Sequence, residues 1–125
     1  MDRILVVLAR RNGPPLHLDA EHAVSPPDQI RGFSGRRSIG ERDAMLFTMR
    51  ADVQTPFTMQ AMKVPLDVLF LGNDGAVLEA FHAAQPGTMV RPLVWYRHAL
   101  ELAGGTVQRE ELDLTKPVLI HPRER

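Results

Sequence analysis

The sequence contains no cysteine and only two lysines, and its 15 basic residues are balanced by 15 acidic ones. Without cysteine, disulfides, thiolate nucleophiles and cysteine-ligated zinc or iron–sulfur sites are excluded. With a net charge of zero, the sequence also lacks the excess of basic residues with which nucleic-acid-binding domains neutralise phosphates. We therefore expect no nucleic-acid partner. Low charge repulsion between copies favours a homo-oligomer.

Long apolar runs are absent as well. The N-terminal run, residues 4–9, has six apolar residues before Arg10 and Arg11 interrupt it. A bilayer requires about 20 apolar residues, and a signal-peptide core requires at least about 7. We therefore expect a cytoplasmic protein without a membrane partner. The length of 125 residues predicts a single domain over residues 1–125.

Several motifs that carry chemistry are also absent. The sequence contains no glycine-rich phosphate loop and no Gly-x-Ser-x-Gly nucleophile elbow. None of its five histidines shows the spacing that places two imidazoles on one side of a metal ion. We therefore expect no catalytic motif, no metal and no cofactor.

Ten prolines and nine glycines divide the sequence into short segments, which favours strands and turns over long helices. Alternating polarity and short branched apolar runs predict strands over residues 4–8, 16–21, 45–49, 57–64, 65–71, 76–83, 95–103 and 117–121. The run Gly-Asn-Asp-Gly at 72–75 predicts a hairpin turn. Ser25 and Thr106 are predicted caps of two short helices. This pattern indicates a mainly β domain, either a sandwich or a partly closed barrel with one or two short helices.

A set of short motifs is similar to those of one family. The motifs are Arg31-Gly32-Phe33-Ser34-Gly35-Arg36, Met45-Leu46-Phe47, Phe57-Thr58-Met59, Val64-Pro65-Leu66-Asp67-Val68-Leu69-Phe70, Asp74-Gly75 and Ala99-Leu100-Glu101-Leu102-Ala103-Gly104. In order and spacing they resemble the family called domain of unknown function 192, over roughly residues 16–121. The resemblance implies a mainly β sandwich of jelly-roll type and implies no activity.

The sequence departs from this family's usual residues in three places. Near the C-terminus, Thr115-Lys116 replaces the usual Gly-Asp. Where the family usually has Gly-Leu-Met, residues 32–34 read Gly-Phe-Ser. Where it usually has Phe-Trp-Met-Lys-Asn-Thr, residues 57–62 read Phe-Thr-Met-Gln-Ala-Met. If these positions line a pocket, a ligand common to the family would be bound differently here or not at all.

Asp67 is a carboxylate within an apolar run, on the same predicted strand face as Leu69 and Leu71. A buried carboxylate must be paired, hydrogen-bonded or neutralised. It is therefore either a structural acceptor for backbone amides or an arginine, or a ligand-contacting group or general base in a cleft. Arg36, from a glycine-flanked loop, is its predicted partner.

Phe57, Met59 and Gln60 share one segment with Lys63 and complete the candidate ligand-binding set with Arg36 and Asp67. Phe57 and Met59 offer apolar contact, and Gln60 offers a polar contact at a pocket mouth. The methionines of this region either fill the core or line an adaptable groove.

Two functions are compatible with these residues. The first is a non-catalytic binding or interaction module for a small molecule, a glycan or a protein partner. The alternative is a hydrolase or lyase that uses Asp67 with Arg36. The sequence favours the first, because no recognisable catalytic constellation accompanies the two residues.

Overall fold

The protein is described by a computed structural model over residues 1–122, so the last three residues of the predicted 1–125 domain lie outside the described part. Its elements are β1 (Asp2–Leu8), β2 (Leu16–Ala23), α1 (Pro26–Arg31), β3 (Ala44–Val53), β4 (Phe57–Thr58), β5 (Leu66–Leu71), β6 (Val77–Ala84), β7 (Met89–Val90), β8 (Tyr96–Ala103), α2 (Thr106–Arg109) and β9 (Leu119–Pro122). Within this described range, neither helix is long and apolar enough to cross a membrane.

Seven strands form one mixed sheet in the order β6-β5-β8-β3-β2-β1-β9, and β4 pairs with β7 in a separate two-stranded ribbon. All neighbours pair antiparallel except β2 and β3, which are parallel. The large sheet has two free edges, β6 and β9, so it is not closed. The predicted mainly β fold with two short helices is confirmed. The arrangement is consistent with the predicted sandwich, and the large sheet is not closed into a barrel.

Each face of the large sheet carries its own apolar core, because successive side chains of a strand point to opposite faces. We call the two faces by the segments that cover them. The α2 face is covered by Val107, Leu112 and Val118, which pack on alternate residues of β1, β2, β3, β5 and β8. The α1 face is covered by Phe33, Met59 and Met62. All six residues of β5 are buried, as expected of a strand covered on both faces.

Helix α1 begins where the sequence predicts, but its contact with the sheet does not rely on buried side chains. The Ser25 side chain accepts a hydrogen bond from the Asp28 amide, which confirms the predicted cap. None of its six residues is buried. Instead, the Gln29 side-chain amide donates to the carbonyls of Ala23, at the end of β2, and Thr48, in the middle of β3. The helix is therefore held on the sheet by hydrogen bonds more than by apolar contact.

Three local predictions were wrong. The strand predicted over 45–49 continues to Val53, and the strand predicted over 57–64 ends at Thr58. The second helix is capped by Gly105 and not by Thr106, whose hydroxyl donates to the Ala103 carbonyl. The bounds of these elements are set by hydrogen bonds. Some of these bonds join segments that are far apart in the sequence, and others form within a local turn.

Replacing Gly75 by alanine is expected to destabilise the fold by about 2 to 3 kcal/mol. Gly75 has a φ of +86°, and a Cβ there would lie 2.1 Å from the Val118 carbonyl oxygen. The substitution would therefore add left-handed strain and break the hydrogen bond from the Val118 amide to the Gly75 carbonyl. Urea unfolding measures the change.

The matched control for this substitution is Gly87→Ala. Gly87 has nearly the same φ, +85°, but a Cβ there would meet no atom within 4 Å. It should lose only about 1 kcal/mol, from strain alone. Equal losses for the two variants would contradict the predicted clash.

Candidate functional site

A cavity of about 400 Å³ lies between α1 and the α1 face of the sheet. Residues 26–34, which include α1, form what we call the roof, and β3 and β8 form the floor. The wall is the segment that contains β4. Apolar side chains dominate the lining, namely Phe33, Phe47, Met49, Phe57 and Met62. An apolar concave site with few polar groups is the usual form of a small-molecule pocket.

The aromatic part of this lining is fixed by ring contacts. Phe57, on β4, meets Phe47 edge to face with ring centroids 5.0 Å apart, and it meets Phe70 at 5.7 Å. Phe47 and Phe70 are almost fully buried. Edge-to-face packing of this kind orients the rings beyond what burial alone requires. The cavity is therefore bounded by aromatic side chains in defined positions.

The floor of the cavity contains one carboxyl group, that of Glu101. Glu101 is on β8, opposite Met45 of β3 and Val68 of β5. The residue is only 5% exposed, and its carboxyl lines the cavity. Among residues 1–122, no group donates a hydrogen bond to it. Since no fully buried side-chain oxygen in this range lacks a partner, the Glu101 oxygens keep their small exposure on the cavity side. Burial without a compensating partner raises the pKa of Glu101 to about 8.

Gly32 leaves the space above this carboxyl open. A Cβ at Gly32 would lie 3.7 Å from Glu101 Oε1 and 3.3 Å from Phe47 Cζ. Gly32 also has a φ of +47°, which side-chain-bearing residues rarely adopt. Because Gly32 has no side chain, the roof lies close to the floor at this point and still leaves the Glu101 carboxyl uncovered.

Arg36 lies beside the roof and binds Glu21, not the predicted partner Asp67. Both terminal nitrogens of its guanidinium donate to the Glu21 carboxylate at 2.8 Å, and the group lies 4.8 Å from the centre of the Phe33 ring. The hydrogen bonds from Arg36 lower the pKa of Glu21, and those to Glu21 raise the pKa of Arg36. This bidentate pair links the segment that follows the roof to β2.

Asp67 points to the opposite face of the sheet, with Leu69 and Leu71 as predicted. Its Oδ1 accepts the amides of Ala83 and Gly105 at 2.8 and 3.0 Å, and its Oδ2 accepts the amide of Val107 at 2.9 Å. The side chain is 0% exposed. Asp67 also lines a second cavity. The geometry nevertheless favours the structural alternative, because both carboxylate oxygens already accept backbone amides.

A second cavity, of about 490 Å³, lies on the α2 face next to Asp67 and is lined by Arg11, His82 and Asp113 among others. The Asp113 carboxylate accepts the amide and hydroxyl of Thr115, and this lowers its pKa. The charged groups of this cavity are therefore exposed or already bonded. Nowhere in residues 1–122 do three metal-ligating side chains come together.

The structure separates the five predicted site residues. Phe57 lines the first cavity, whereas Met59 is fully buried in the core beneath it. Gln60 is exposed and does not line either cavity. Arg36 and Asp67 lie on opposite faces of the sheet. Their role as ligand contacts stays a prediction, but they do not form one cleft.

Sequence reasoning missed Glu101 as a candidate. It stands alone among apolar residues over 99–103, just as Asp67 does over 65–71. The same argument from burial cost therefore applied to both residues. Phe33, Ser34 and Thr58, where the sequence departs from the usual residues of the resembled family, all line the cavity.

A model of the family domain of unknown function 192 (DUF192), described as "Uncharacterized ACR", matches residues 7–119. This range contains all the lining residues of the first cavity. No curated protein matches the sequence at a significant level.

Two solved structures share the fold. A candidate transcription regulator from Sinorhizobium meliloti 1021 superposes with a TM-score of 0.87 and 26% identity, over 95% of this chain and 94% of the other. A protein of unknown function from Novosphingobium aromaticivorans DSM 12444 superposes with a TM-score of 0.84 and 23% identity, over 94% of this chain and 84% of the other. The second likeness concerns the fold alone.

Proposed function

Because the chain belongs to DUF192, an uncharacterised family, we propose from its geometry that it is a non-catalytic binding module whose cavity beneath α1 takes a small ligand. The observation that carries this proposal is the unpartnered Glu101 carboxyl at the base of an apolar cavity. An unpaired buried carboxyl costs stability. A ligand that bonds to it would offset this cost.

The choice of a small molecule over a glycan or a protein follows from the lining. The aromatic and methionine side chains suit an apolar body, and at the floor Glu101 is the one polar side chain among the described residues that lines the cavity. A glycan would require many hydrogen-bonding groups in the cavity. A protein partner would require a broad exposed patch, whereas this site is concave.

The hydrolase or lyase alternative has less support. It requires Asp67 and Arg36 to act together, yet Asp67 is bonded to three backbone amides and Arg36 to Glu21. Glu101 has no second acid, base or nucleophile within hydrogen-bond reach among residues 1–122. The proposal of a binding module is therefore the simpler one.

The expectations about partners and location stay predictions. They comprise a cytoplasmic location, no nucleic-acid or membrane partner, and a homo-oligomer. The transcription-regulator description belongs to the Sinorhizobium meliloti protein, and the zero net charge of this chain favours no direct contact with phosphates.

Neutral aromatic probes test the proposal. We expect indole and toluene to shift the NMR signals of Met49 and Met62 methyl groups saturably, because these side chains line the cavity. Thr58→Trp, at the exposed rim of the wall, should weaken this binding at least about tenfold by filling the space.

The control is Leu93→Trp, which adds a tryptophan at a position that is 85% exposed and outside the cavity. It should leave the affinity for indole unchanged. If neither probe gives a saturable shift in the unmodified protein, the proposed function fails.

A further inference from the structure

We propose that the ligand of this cavity is a small organic cation, with a primary or secondary ammonium group bound to the Glu101 carboxylate and an apolar body against the aromatic lining. This inference rests on the proposed function and names its ligand class. Its basis is the pairing of one buried acidic group with an apolar, aromatic surround.

The Glu101 carboxyl favours a ligand of positive charge. The cavity floor offers one carboxyl group, and its neighbours across the sheet, Met45 and Val68, are apolar. An ionised carboxylate in this position is costly unless a cation accompanies it. An ammonium group provides both the opposite charge and the N–H donors that the described residues do not provide.

The other charged groups near the cavity do not supply a cation to Glu101. Arg31, at the end of α1, is the one other charged residue that lines the cavity among residues 1–122, and it is exposed to solvent. Arg36, beside the roof, is neutralised by Glu21. From the wall, β4 contributes only Phe57 and Thr58. In the described part of the chain, the one ionisable group that faces the ligand at the floor is thus an acid.

The aromatic lining suits the apolar part of such a ligand. Phe33, Phe47 and Phe57 border the same cavity as Glu101. Their rings provide an apolar surface for the body of the ligand. An ammonium ligand can therefore place its cationic head at Glu101 and its apolar body against these rings, whereas a carboxylate ligand would bring a second acidic group to Glu101.

Binding of such a cation is coupled to proton release. Below pH 8 the free carboxyl of Glu101 is mostly protonated, since its pKa is raised to about 8. The ammonium ligand binds the ionised form, so the carboxyl proton passes to the solvent. The affinity should therefore rise with pH up to about 8 and then level off, as long as the ligand amine stays protonated.

Three matched probes test the ligand class by isothermal titration calorimetry: phenethylamine, 2-phenylethanol and 3-phenylpropionate. At pH 8.5 we expect phenethylamine to bind at least about tenfold tighter than the alcohol. Its affinity should fall roughly 50-fold between pH 8 and pH 6, given a pKa of about 8. Titration in two buffers of different ionisation enthalpy should show release of about one proton at pH 6.5.

Glu101→Gln should abolish both the preference for the amine and its pH dependence. Glu41→Gln, on a side chain that is 77% exposed and outside the cavity, is the matched control and should change neither. If Glu101→Gln does not fold, the proton release and the pH dependence of the unmodified protein still test whether a cation binds to the Glu101 carboxylate.

The outcomes separate this inference from the proposed function. If the alcohol or the propionate binds as tightly as the amine, the cavity binds small molecules but the ligand is not a cation. If the amine binds equally well to Glu101→Gln, the carboxyl is not its partner and the inference fails. If none of the three probes and no neutral aromatic binds, the proposed function fails with it.

Discussion

Glu101→Gln should stabilise the protein relative to its unmodified form, and the gain should grow by about 3 to 4 kcal/mol between pH 5 and pH 8. The pKa of Glu101 is raised from 4.5 in the unfolded chain to about 8 in the folded one. Between these values the unfolded chain releases the proton while the folded protein retains it. Stability therefore falls by about 1.4 kcal/mol per pH unit through this window. Glutamine does not titrate and removes that loss.

The measurement is the difference between the urea-unfolding free energies of the two proteins across the pH range. Taking the difference cancels the other titrating groups, among them His22 and His98, whose pKa values are lowered by burial. Glu41→Gln serves again as the exposed control. A difference that does not change with pH would show that the carboxyl ionises normally in the folded state.

Asp67→Ala should destabilise the protein by about 4 to 5 kcal/mol. The substitution leaves the amides of Ala83, Gly105 and Val107 buried without an acceptor. Each hydrogen bond to a charged acceptor contributes about 1.5 to 3 kcal/mol, and such losses are not fully additive. These amides belong to β6 and to the start of α2, so both elements depend on Asp67.

Asp67→Asn should lose about 2 kcal/mol, because its one oxygen can serve two amides while its NH₂ group faces the third donor. The control is Asp74→Ala in the exposed hairpin turn, where one hydrogen bond to Ala76 is lost at a cost below about 1 kcal/mol. Chemical unfolding ranks the three variants. A fully stable Asp67→Asn would revive the interpretation of Asp67 as a ligand-contacting group.

Predictions from the sequence succeeded where the determining contacts are local. The apolar run at 66–71 and the turn after it were placed correctly, because a strand buried on both faces and a tight turn each have a distinctive composition. The Ser25 cap was also found, since its partner amide is three residues away. These features need no knowledge of the rest of the chain.

The failures involve contacts between distant segments. After Thr58 the alternation continues in the sequence, but the chain turns, because the Met59 amide donates to Thr88 and the Met62 amide donates to Met59. The parallel pairing of β2 with β3 has no local signal either. Neither the turn nor the crossover is encoded in the composition of its own residues.

The site illustrates the same limit with two carboxylates. Asp67 and Glu101 have the same signature, one acid in an apolar strand. Only the three-dimensional arrangement distinguishes them, since the turn at Gly105 and the start of α2 bring amides to Asp67 while a cavity faces Glu101. The candidate chosen from the sequence, Asp67, is the acid that already accepts three hydrogen bonds. Glu101, which accepts none from the described residues, was overlooked.

The attachment of α1 has a consequence for how the cavity exchanges its contents. A short helix without buried residues gains little from packing, so its local opening requires much less free energy than unfolding of the sheet. Local opening of α1 itself breaks the two bonds of Gln29, whereas lifting the whole roof would also break the Arg36–Glu21 pair and expose the buried Phe33. The amides of α1 should therefore exchange with solvent much faster than those of β5. The protein thus combines a rigid floor with a short helix that can open locally above it.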